Sequence, residues 1–266
     1  MSTSEDSTVG SGAQSAHSGD GTLLSLRKIS KTFGPVRALT DVDLDIAAGE
    51  VTALIGDNGA GKSSLIKTVS GLWRPDGGQI VWEGSEVNLH NPKDAESLGI
   101  TTIYQDLALC ENLDIVQNMF LGHELTKGIV MDEATMEIKA RETLSELQVV
   151  TVRSIRQLVA SLSGGQRQSV AVSKAVMSNA KLVIMDEPTA ALGVAQTTMV
   201  LDLIKRLAAR GVAVLVISHN LIDVFEVADR IAVLYLGRLV IEGPAADFDR
   251  QSAVEYMTTG TVARAA

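Results

Sequence analysis

The sequence predicts an α/β fold with a mostly parallel sheet, and two observations support this prediction. Short strand-like runs recur along the chain, and those at 182–185 and 212–217 are continuously apolar. Continuous apolar runs suit strands that are buried on both faces of a parallel sheet. Helical patterns at 194–210 and 221–228 separate such runs, and this alternation of strand and helix indicates an α/β fold. The other strand-like runs are 23–29, 51–55, 101–104 and 230–236.

The segment from about 106 to 178 differs, because helical patterns dominate it and strand-like runs are rare. Residues 131–150 have acids early in the segment, where the positive end of a helix dipole favours them. The apolar side chains of this pattern are Met136, Ile138, Leu144 and Leu147. We therefore expect a helical subdomain inserted into the α/β core.

Domain boundaries follow from the same composition. We expect the core to comprise residues 22–105 and 179–258, with the helical subdomain between them. Residues 1–21 are mostly small, polar or acidic and are predicted to be a disordered tail. Residues 259–266 are predicted to form a second loose tail.

Composition excludes some classes of protein. The chain has 266 residues, of which 23 are Lys or Arg and 32 are Asp or Glu, and its formal charge is -9. It has no Lys/Arg-rich run, which argues against a nucleic-acid partner. The single cysteine, Cys110, cannot form an internal disulfide and fits a reducing compartment. With no signal peptide and no apolar run of about 20 residues, we expect a soluble cytoplasmic chain that can dock on a membrane protein.

A phosphate-binding loop is the first site that the sequence predicts. Residues 56–63 match the pattern G-x-x-x-x-G-K-[ST] between a buried strand at 51–55 and a helix at 62–70. The glycines permit a tight turn at a helix N-terminus, Lys62 can reach the β- and γ-phosphates, and the Ser63 hydroxyl can ligate Mg²⁺. The alternative, a chance match in a glycine-rich turn, lacks this strand–loop–helix context. The predicted nucleotide-binding residues of this loop are Gly56, Asp57, Asn58, Gly59, Ala60, Gly61, Lys62, Ser63 and Ser64.

Two adjacent acids, Asp186 and Glu187, follow the apolar run 182–185 directly. Ligands of open parallel sheets bind at the C-terminal ends of the strands. If this strand lies beside the phosphate-loop strand, both acids emerge near the phosphates. Asp186 can then hold Mg²⁺, and Glu187 can orient the attacking water or accept its proton. An isolated acid pair is more often a solvated turn, so this interpretation depends on the phosphate loop.

Further motifs together resemble those of the ABC-type ATPases. Residues 162–166, LSGGQ, resemble the signature motif of that family. Gln105 in TIYQD resembles its Q-loop glutamine, His219 in VISHN its switch histidine, and Phe33 in KTFGPVRAL the aromatic that stacks on adenine. Each of these residues alone has an ordinary structural explanation, but the ordered set over about residues 22–258 is specific.

The resemblance implies a P-loop ATPase core with an N-terminal antiparallel β part and the inserted helical subdomain. It also implies a homodimer with two ATP molecules between subunits, the signature of one chain facing the nucleotide of the other. ATP and Mg²⁺ are the implied cofactors, and Glu187, His219 and Gln105 are the implied catalytic residues. The implied metal ligands are Ser63, Gln105 and Asp186. The implied signature residues acting on the opposite site are Ser163, Gly164, Gly165 and Gln166.

Several stretches resemble the ATPases of bacterial monosaccharide importers of the ribose, xylose and fructose group. These stretches are 91–100, 103–122, 185–193 and 218–240. Many members of that group fuse two ATPase halves, whereas this chain has one and resembles the single-domain type, closest to fructose importers. The resemblance implies a peripheral position at the cytoplasmic face of the inner membrane. The implied partners are a separate membrane permease and, indirectly, a sugar-binding protein.

The first alternative to this hypothesis is the ATPase subunit of an ABC transporter for another solute, and three further alternatives are less favoured. A soluble ABC ATPase acting on DNA or ribosomes is disfavoured by the acidic charge, and an exporter subunit is disfavoured by the resemblance. A regulatory ATP binder without hydrolysis is disfavoured by Glu187 and His219. One departure from the family pattern is Gly193, where many ABC ATPases have an aspartate. It raises the question of how tightly the two sites communicate, although the same form occurs in the monosaccharide-importer group.

Overall fold

The computed structural model describes residues 21–149 and 151–261. Most of the two predicted tails lies outside these residues, although Thr259 belongs to the last helix. The strands are β1 (Thr22–Phe33), β2 (Val36–Ala47), β3 (Val51–Ile55), β4 (Gly77–Trp82), β5 (Ser85–Val87), β6 (Ile100–Ile103), β7 (Thr126–Lys127), β8 (Val130–Met131), β9 (Leu182–Asp186), β10 (Ala213–Ile217), β11 (Arg230–Tyr235) and β12 (Arg238–Pro244). The helices are α1 (Lys62–Val69), α2 (Pro92–Leu98), α3 (Ile115–Phe120), α4 (Glu133–Glu146), α5 (Gly164–Met177), α6 (Val194–Ala209), α7 (Leu221–Val227) and α8 (Arg250–Thr259).

The central sheet has six strands in the order β12-β11-β3-β10-β9-β6. All neighbouring pairs are parallel except β11 and β12, which form an antiparallel hairpin. The predicted α/β fold with a mostly parallel sheet is therefore confirmed. One detail differs from the expectation, because β9 does not lie beside β3: strand β10 lies between them.

The continuous apolar runs are explained by the packing on both faces of this sheet. Side chains alternate between the faces of a strand. Ile184 and Leu215 therefore pack into one buried cluster with Leu26 of β1, whereas Val183 and Val214 pack on the other face in a cluster that includes helix α6. Since both faces are covered, these strands carry mostly apolar side chains; buried Thr52 of β3 and Asp186 at the end of β9 are exceptions.

A second, antiparallel sheet in the order β2-β1-β4-β5 forms the N-terminal β part that the family resemblance implies. Strand β1 is longer than the predicted 23–29, because it pairs with β2 along nearly its whole length and with β4 on its other side. The hairpin that joins β1 and β2 brings Phe33 opposite Val36. This end of the sheet becomes one border of the site described below.

Helices α3, α4 and α5 share a buried cluster of their own in the middle of the chain. The helix predicted at 131–150 is observed at Glu133–Glu146. Met136 and Leu144 are buried as expected, but Ile138 is 57% exposed. Its position, two residues from Met136, is about 200° around the helix, so it faces solvent. The short hairpin of β7 and β8 was not predicted.

Arg156 ties this helical part together. Its guanidinium group bonds to Asp114, the N-cap residue of α3, and to Glu133 and Glu137 of α4. These carboxylates hold the pKa of Arg156 above its ordinary value, with the hydrogen bond to Asp114 the largest cause. Within the residues that the structure describes, no helix combines the length and apolar character needed to cross a membrane.

Candidate active site

The site forms where the C-terminal ends of β3, β9 and β10 meet. The phosphate loop follows β3, the acid pair ends β9, and His219 follows β10. Although β10 separates the other two strands, an open cavity of about 520 Å³ is lined by residues of both the loop and the acid pair. The expected proximity of the acids to the phosphate loop is thus observed despite the intervening strand.

The phosphate loop wraps around the amino group of Lys62. The Lys62 Nζ donates hydrogen bonds to the carbonyl oxygens of Gly56 at 2.7 Å and Asp57 at 3.0 Å. Gly61 is the N-cap of α1 and contributes no capping side chain, so the first amide groups of this helix can donate to an anion. Burial lowers the pKa of the Lys62 ammonium, while Glu187, Asp57 and Asp186 act in the opposite direction. A bound phosphate group would compensate this buried cation.

Glycine is required at position 61 because the phosphate loop passes close to the backbone of β2 at Ala38. The φ of Gly61 is 107°, in the left-handed region, and a Cβ atom here would lie 2.6 Å from the Ala38 carbonyl oxygen. We expect Gly61→Ala to lower the free energy of unfolding by about 2–4 kcal/mol, because backbone strain and a backbone clash add. Gly211 has a similar φ of 86° with open space around it, so Gly211→Ala should cost only about 1 kcal/mol. Chemical denaturation measures both, and equal losses would contradict the clash.

Glu187 is held in a defined position by its backbone and by His219. Its φ is 50°, and its backbone N–H donates to the Ile217 carbonyl oxygen of β10 at 2.8 Å. Its Oε1 lies 2.7 Å from Nδ1 of His219. The Glu187 side chain is only 16% exposed, whereas that of His219 is 68% exposed. His219 therefore reaches from the surface to orient the acid.

Asp186 is partly buried, as Glu187 is. The carboxyl pKa of Asp186 is raised above the ordinary value of 3.8, first by burial and then by the like charge of Glu187, and Lys62 and Lys67 oppose this increase. A raised pKa means that the folded protein binds this proton more tightly than the unfolded chain does. Ionised Asp186 therefore destabilises the nucleotide-free protein at neutral pH, and the penalty disappears as the pH falls below the ordinary value.

We expect Asp186→Asn to raise the melting temperature of the nucleotide-free protein at pH 7. The gain should shrink as the pH approaches about 4, where the wild-type carboxyl group also takes up its proton. Thermal unfolding followed by circular dichroism over this pH range tests the prediction. Asp202→Asn, at an exposed position of α6, is the control. A variant less stable than wild type at pH 7 would contradict the assigned burial cost.

The cavity collects most, but not all, of the predicted residues. Those in its wall are Asn58, Gly59, Gly61, Lys62, Ser63, Ser64, Gln105, Asp186 and Glu187. Gly56, Asp57 and Ala60 shape the loop but are not in the wall, and His219 reaches the site through Glu187. Residues that the sequence analysis missed also line the cavity: Val36, Arg37, Ala38, Leu236 and Gly237. They belong to two hairpin ends far apart in sequence. Both ends lie within stretches that carry the family resemblance, 31–39 and 218–240, but the resemblance assigned no site role to these five residues.

Phe33 lies beside this cavity and is not part of its wall. Its ring packs edge-on against Trp73, with 4.6 Å between ring centroids, and Lys31 Nζ lies 5.5 Å from its centroid. Its cross-strand partner Val36 does line the cavity. The structure therefore places Phe33 at the margin of the site.

The predicted signature residues lie outside the cavity of their own chain. Ser163 is the N-cap of α5 and forms a capping box with Gln166, whose Nε2 also donates to the Thr151 carbonyl oxygen at 2.6 Å. Gly164 and Gly165 pack closely on the segment around α6, where added Cβ atoms would come within 2.7 Å of Leu192 and Met199 side chains respectively. The two glycines therefore let α5 approach these flexible side-chain ends without displacing them.

Gly193 is the N-cap of α6, and it has no side chain to bond the first amide groups. A Cβ atom there would meet no heavy atom within 4 Å, so an aspartate would fit sterically. The loop before it is anchored by Thr189, whose Oγ1 donates to Asp223 of α7 at 2.6 Å. The loop that follows the acid pair is therefore tied to the helix that follows His219.

A strand, a phosphate loop and a helix beside a partly buried acid pair define the class of P-loop nucleoside triphosphatases. Within that class, the family model described as ABC transporter matches residues 39–190, and the chain belongs to this family. Comparison with known proteins supports the assignment at the level of relatives and of structures.

Two relatives match over nearly their whole length. The chain is 47% identical over 237 residues to the xylose/arabinose import ATP-binding protein XylG of Sulfolobus acidocaldarius, covering 89% of this chain and 94% of that protein. It is 48% identical over 243 residues to the fructose import ATP-binding protein FrcA of Rhizobium meliloti, covering 89% and 94%. It is also 42% identical to the ribose import ATP-binding protein RbsA 1 of Rubrobacter xylanophilus, of which it spans 46%.

Solved structures give the same fold. An ATP-binding cassette of an ABC transporter in its ADP conformation has a TM-score of 0.77 and 27% identity, covering 90% of this chain and 95% of that one. A dimeric post-hydrolysis cassette bound to ADP and Pi has a TM-score of 0.71 and 25% identity, covering 84% and 99%.

Proposed function

We propose that this chain is the ATP-binding and ATP-hydrolysing subunit that powers import of a monosaccharide through a separate membrane permease. The observation that supports this most strongly is the cavity in which Lys62, Ser63, Gln105 and the acid pair meet. A buried cation beside helix-end amide groups suits a triphosphate, and carboxylates in the same cavity wall suit a metal ion and a water molecule.

The residues present fit a Mg²⁺ ion. Ser63, Gln105 and Asp186 line one cavity, and together they offer hydroxyl, amide and carboxylate oxygens, the donors that this cation prefers. Burial makes ionised Asp186 costly without a cation, as its raised pKa indicates. When bound, the ion supplies positive charge to the phosphate oxygens. These three residues would hold it.

Glu187 is the proposed base for hydrolysis. It lies in the cavity wall next to Asp186, in reach of a water molecule that attacks the γ-phosphate. His219 fixes the carboxylate through the 2.7 Å contact, so its role is to position Glu187 and, with Gln105, to complete the catalytic set. Lys62 neutralises charge on the phosphates, and the loop amide groups orient them.

We infer further that the working form is a homodimer. Ser163 to Gln166 lie outside the cavity of their own chain, which is consistent with their acting on the nucleotide of a partner chain. The dimeric relative bound to ADP and Pi provides a precedent for such an assembly. In this proposal ATP closes the dimer and hydrolysis reopens it, so that the γ-phosphate controls a two-state element.

The proposed cargo is a monosaccharide, because the relatives are named for import of xylose or arabinose, fructose and ribose. Identities of 47% and 48% do not separate fructose from xylose and arabinose. The proposed location is the cytoplasmic face of the membrane, as a peripheral subunit. The helical subdomain, about residues 106–178, and the segment after Gln105 are the proposed permease-facing surface, with a sugar-binding protein acting on the other side.

Reconstitution tests this function. The chain is co-purified with its proposed permease, placed in liposomes with the proposed sugar-binding protein, and assayed for ATP hydrolysis with xylose, arabinose, fructose and ribose in turn. We expect one of these sugars to stimulate turnover and to accumulate inside the vesicles. Stimulation by a different class of solute, or movement of solute in the opposite direction, would refute the sugar-import assignment. The Glu187→Gln complex serves as the inactive control.

A further inference from the structure

Leu236 occupies an unfavourable position for a leucine. It is the first of two residues in the turn between β11 and β12, since Tyr235 pairs with Arg238 across the hairpin. The φ angles of Leu236 and Gly237 are 45° and 78°, and two positive φ angles are the mark of a type I′ turn. Such turns favour Asn-Gly, because asparagine tolerates the left-handed conformation better than a large apolar residue does.

The side chain of Leu236 is also poorly buried. It is 69% exposed, so the packing of the folded chain does not explain why a leucine stands here. Its turn is nonetheless firmly placed, because the Gly237 N–H donates to the Ala60 carbonyl oxygen of the phosphate loop, and the Gly237 carbonyl oxygen accepts from the Thr40 N–H, both at 2.8 Å. The fold therefore presents an apolar side chain to solvent at a fixed place.

That place is the wall of the nucleotide cavity. The cavity wall contains three apolar side chains, Val36, Ala38 and Leu236, and all three come from the two hairpin ends next to the phosphate loop. Val36 is itself 61% exposed. The same hairpin ends also contribute Arg37 and Gly237, and the rest of the wall is glycine or polar, from the phosphate loop, Gln105 and the acid pair.

We propose that Leu236 is a nucleobase contact, which together with Val36 forms an apolar seat for the face of the base. This inference rests on the proposed ATP site. The triphosphate occupies the polar end of the cavity near Lys62, and the base is the extended apolar part of a nucleoside triphosphate. Phe33, whose ring is already packed by Trp73 and Lys31, is then a neighbour of this seat. An apolar contact to the face of the ring does not recognise the hydrogen-bonding groups on the edges of the base. Adenine and guanine nucleotides should therefore bind with similar affinity.

The variant Leu236→Asn separates ligand binding from folding. Asparagine suits the turn, so the free protein should be at least as stable as wild type in thermal unfolding. Affinity for Mg²⁺-ATP and for Mg²⁺-GTP should each fall about fivefold, because apolar contact area with the base is lost. Affinity for inorganic tripolyphosphate, which has no base, should not change. Calorimetric titration of full-length protein measures all three ligands.

The matched control is Leu158→Asn, a half-exposed leucine outside the cavity wall, which should change none of the three affinities. Unchanged ATP affinity in Leu236→Asn would overturn the proposal. So would an equal loss for ATP and tripolyphosphate, since the turn would then act through the phosphate loop. If wild-type protein binds neither ATP nor tripolyphosphate, the proposed ATPase function itself fails, which is a different result from failure of the base contact.

Discussion

Replacing Glu187 with glutamine is expected to leave ATP binding intact and to lower steady-state hydrolysis by on the order of 10²–10⁴-fold. Glutamine has the same shape and can keep the contact to Nδ1 of His219, now at 2.7 Å from the carboxylate. It cannot accept a proton from water at neutral pH. The variant should therefore bind ATP, close the dimer and remain closed.

Three measurements test this prediction: phosphate release, nucleotide affinity, and molecular mass in solution with Mg²⁺-ATP. Glu226→Gln is the control, because Glu226 is a half-exposed acid that pairs with Lys205 at the surface, and it should have wild-type turnover. Turnover of Glu187→Gln close to that of wild type would remove Glu187 from the catalytic role. Loss of ATP binding would show that the residue acts on binding instead.

Replacing Lys62 with alanine is expected to weaken ATP binding by roughly 100-fold, which corresponds to the loss of a charge-assisted contact of about 3 kcal/mol. Lys62 is the one cation in the cavity wall that lies in the phosphate loop, and it is held there by two carbonyl oxygens. Its removal takes away the larger of the two positive-charge contributions, from Lys62 and Lys67, that favour the ionised form of Asp186.

The control for this variant is Lys67→Ala on the same helix. The Lys67 Nζ lies 4.6 Å from the centroid of the Trp73 ring and is not in the cavity wall, so its loss should change ATP affinity by less than about threefold. Calorimetric titration with Mg²⁺-ATP compares the two variants. Unchanged affinity in Lys62→Ala, with normal folding by circular dichroism, would contradict the phosphate-loop assignment.

Much of the fold and the centre of the site could be predicted from sequence because both are local patterns. The mostly apolar runs at β3, β9 and β10 report burial on both faces of a sheet, and the phosphate loop and the acid pair each occupy consecutive positions. Order of strands is a different matter. No local sequence pattern indicates that β10 lies between β3 and β9. The acids nevertheless reach the cavity, because the cavity forms at the C-terminal ends of all three strands and does not require β3 and β9 to be neighbours.

The apolar border of the cavity could not be predicted for a related reason. Val36 and Leu236 are 200 positions apart in the printed sequence, and their hairpins meet through backbone hydrogen bonds that carry no sequence signal, such as that between Thr40 and Gly237. The family resemblance implies a base contact for Phe33, and this stays a prediction; its ring lies beside the cavity and packs against Trp73. One local feature of the sequence was informative: Leu236 precedes Gly237 at a hairpin turn, where asparagine before glycine is the favoured pair.

The most direct test of the ATPase account is a structure of the Glu187→Gln variant with Mg²⁺ and ATP. The account predicts two chains enclosing two nucleotides, with the triphosphate at Lys62, the ion at Ser63 and Asp186, and Ser163 of the partner subunit on the γ-phosphate. Each base should contact Leu236. A nucleotide bound outside this cavity would contradict the composite site on which the proposed function depends. So would a nucleotide in the cavity with no second chain covering its γ-phosphate, under conditions that block hydrolysis.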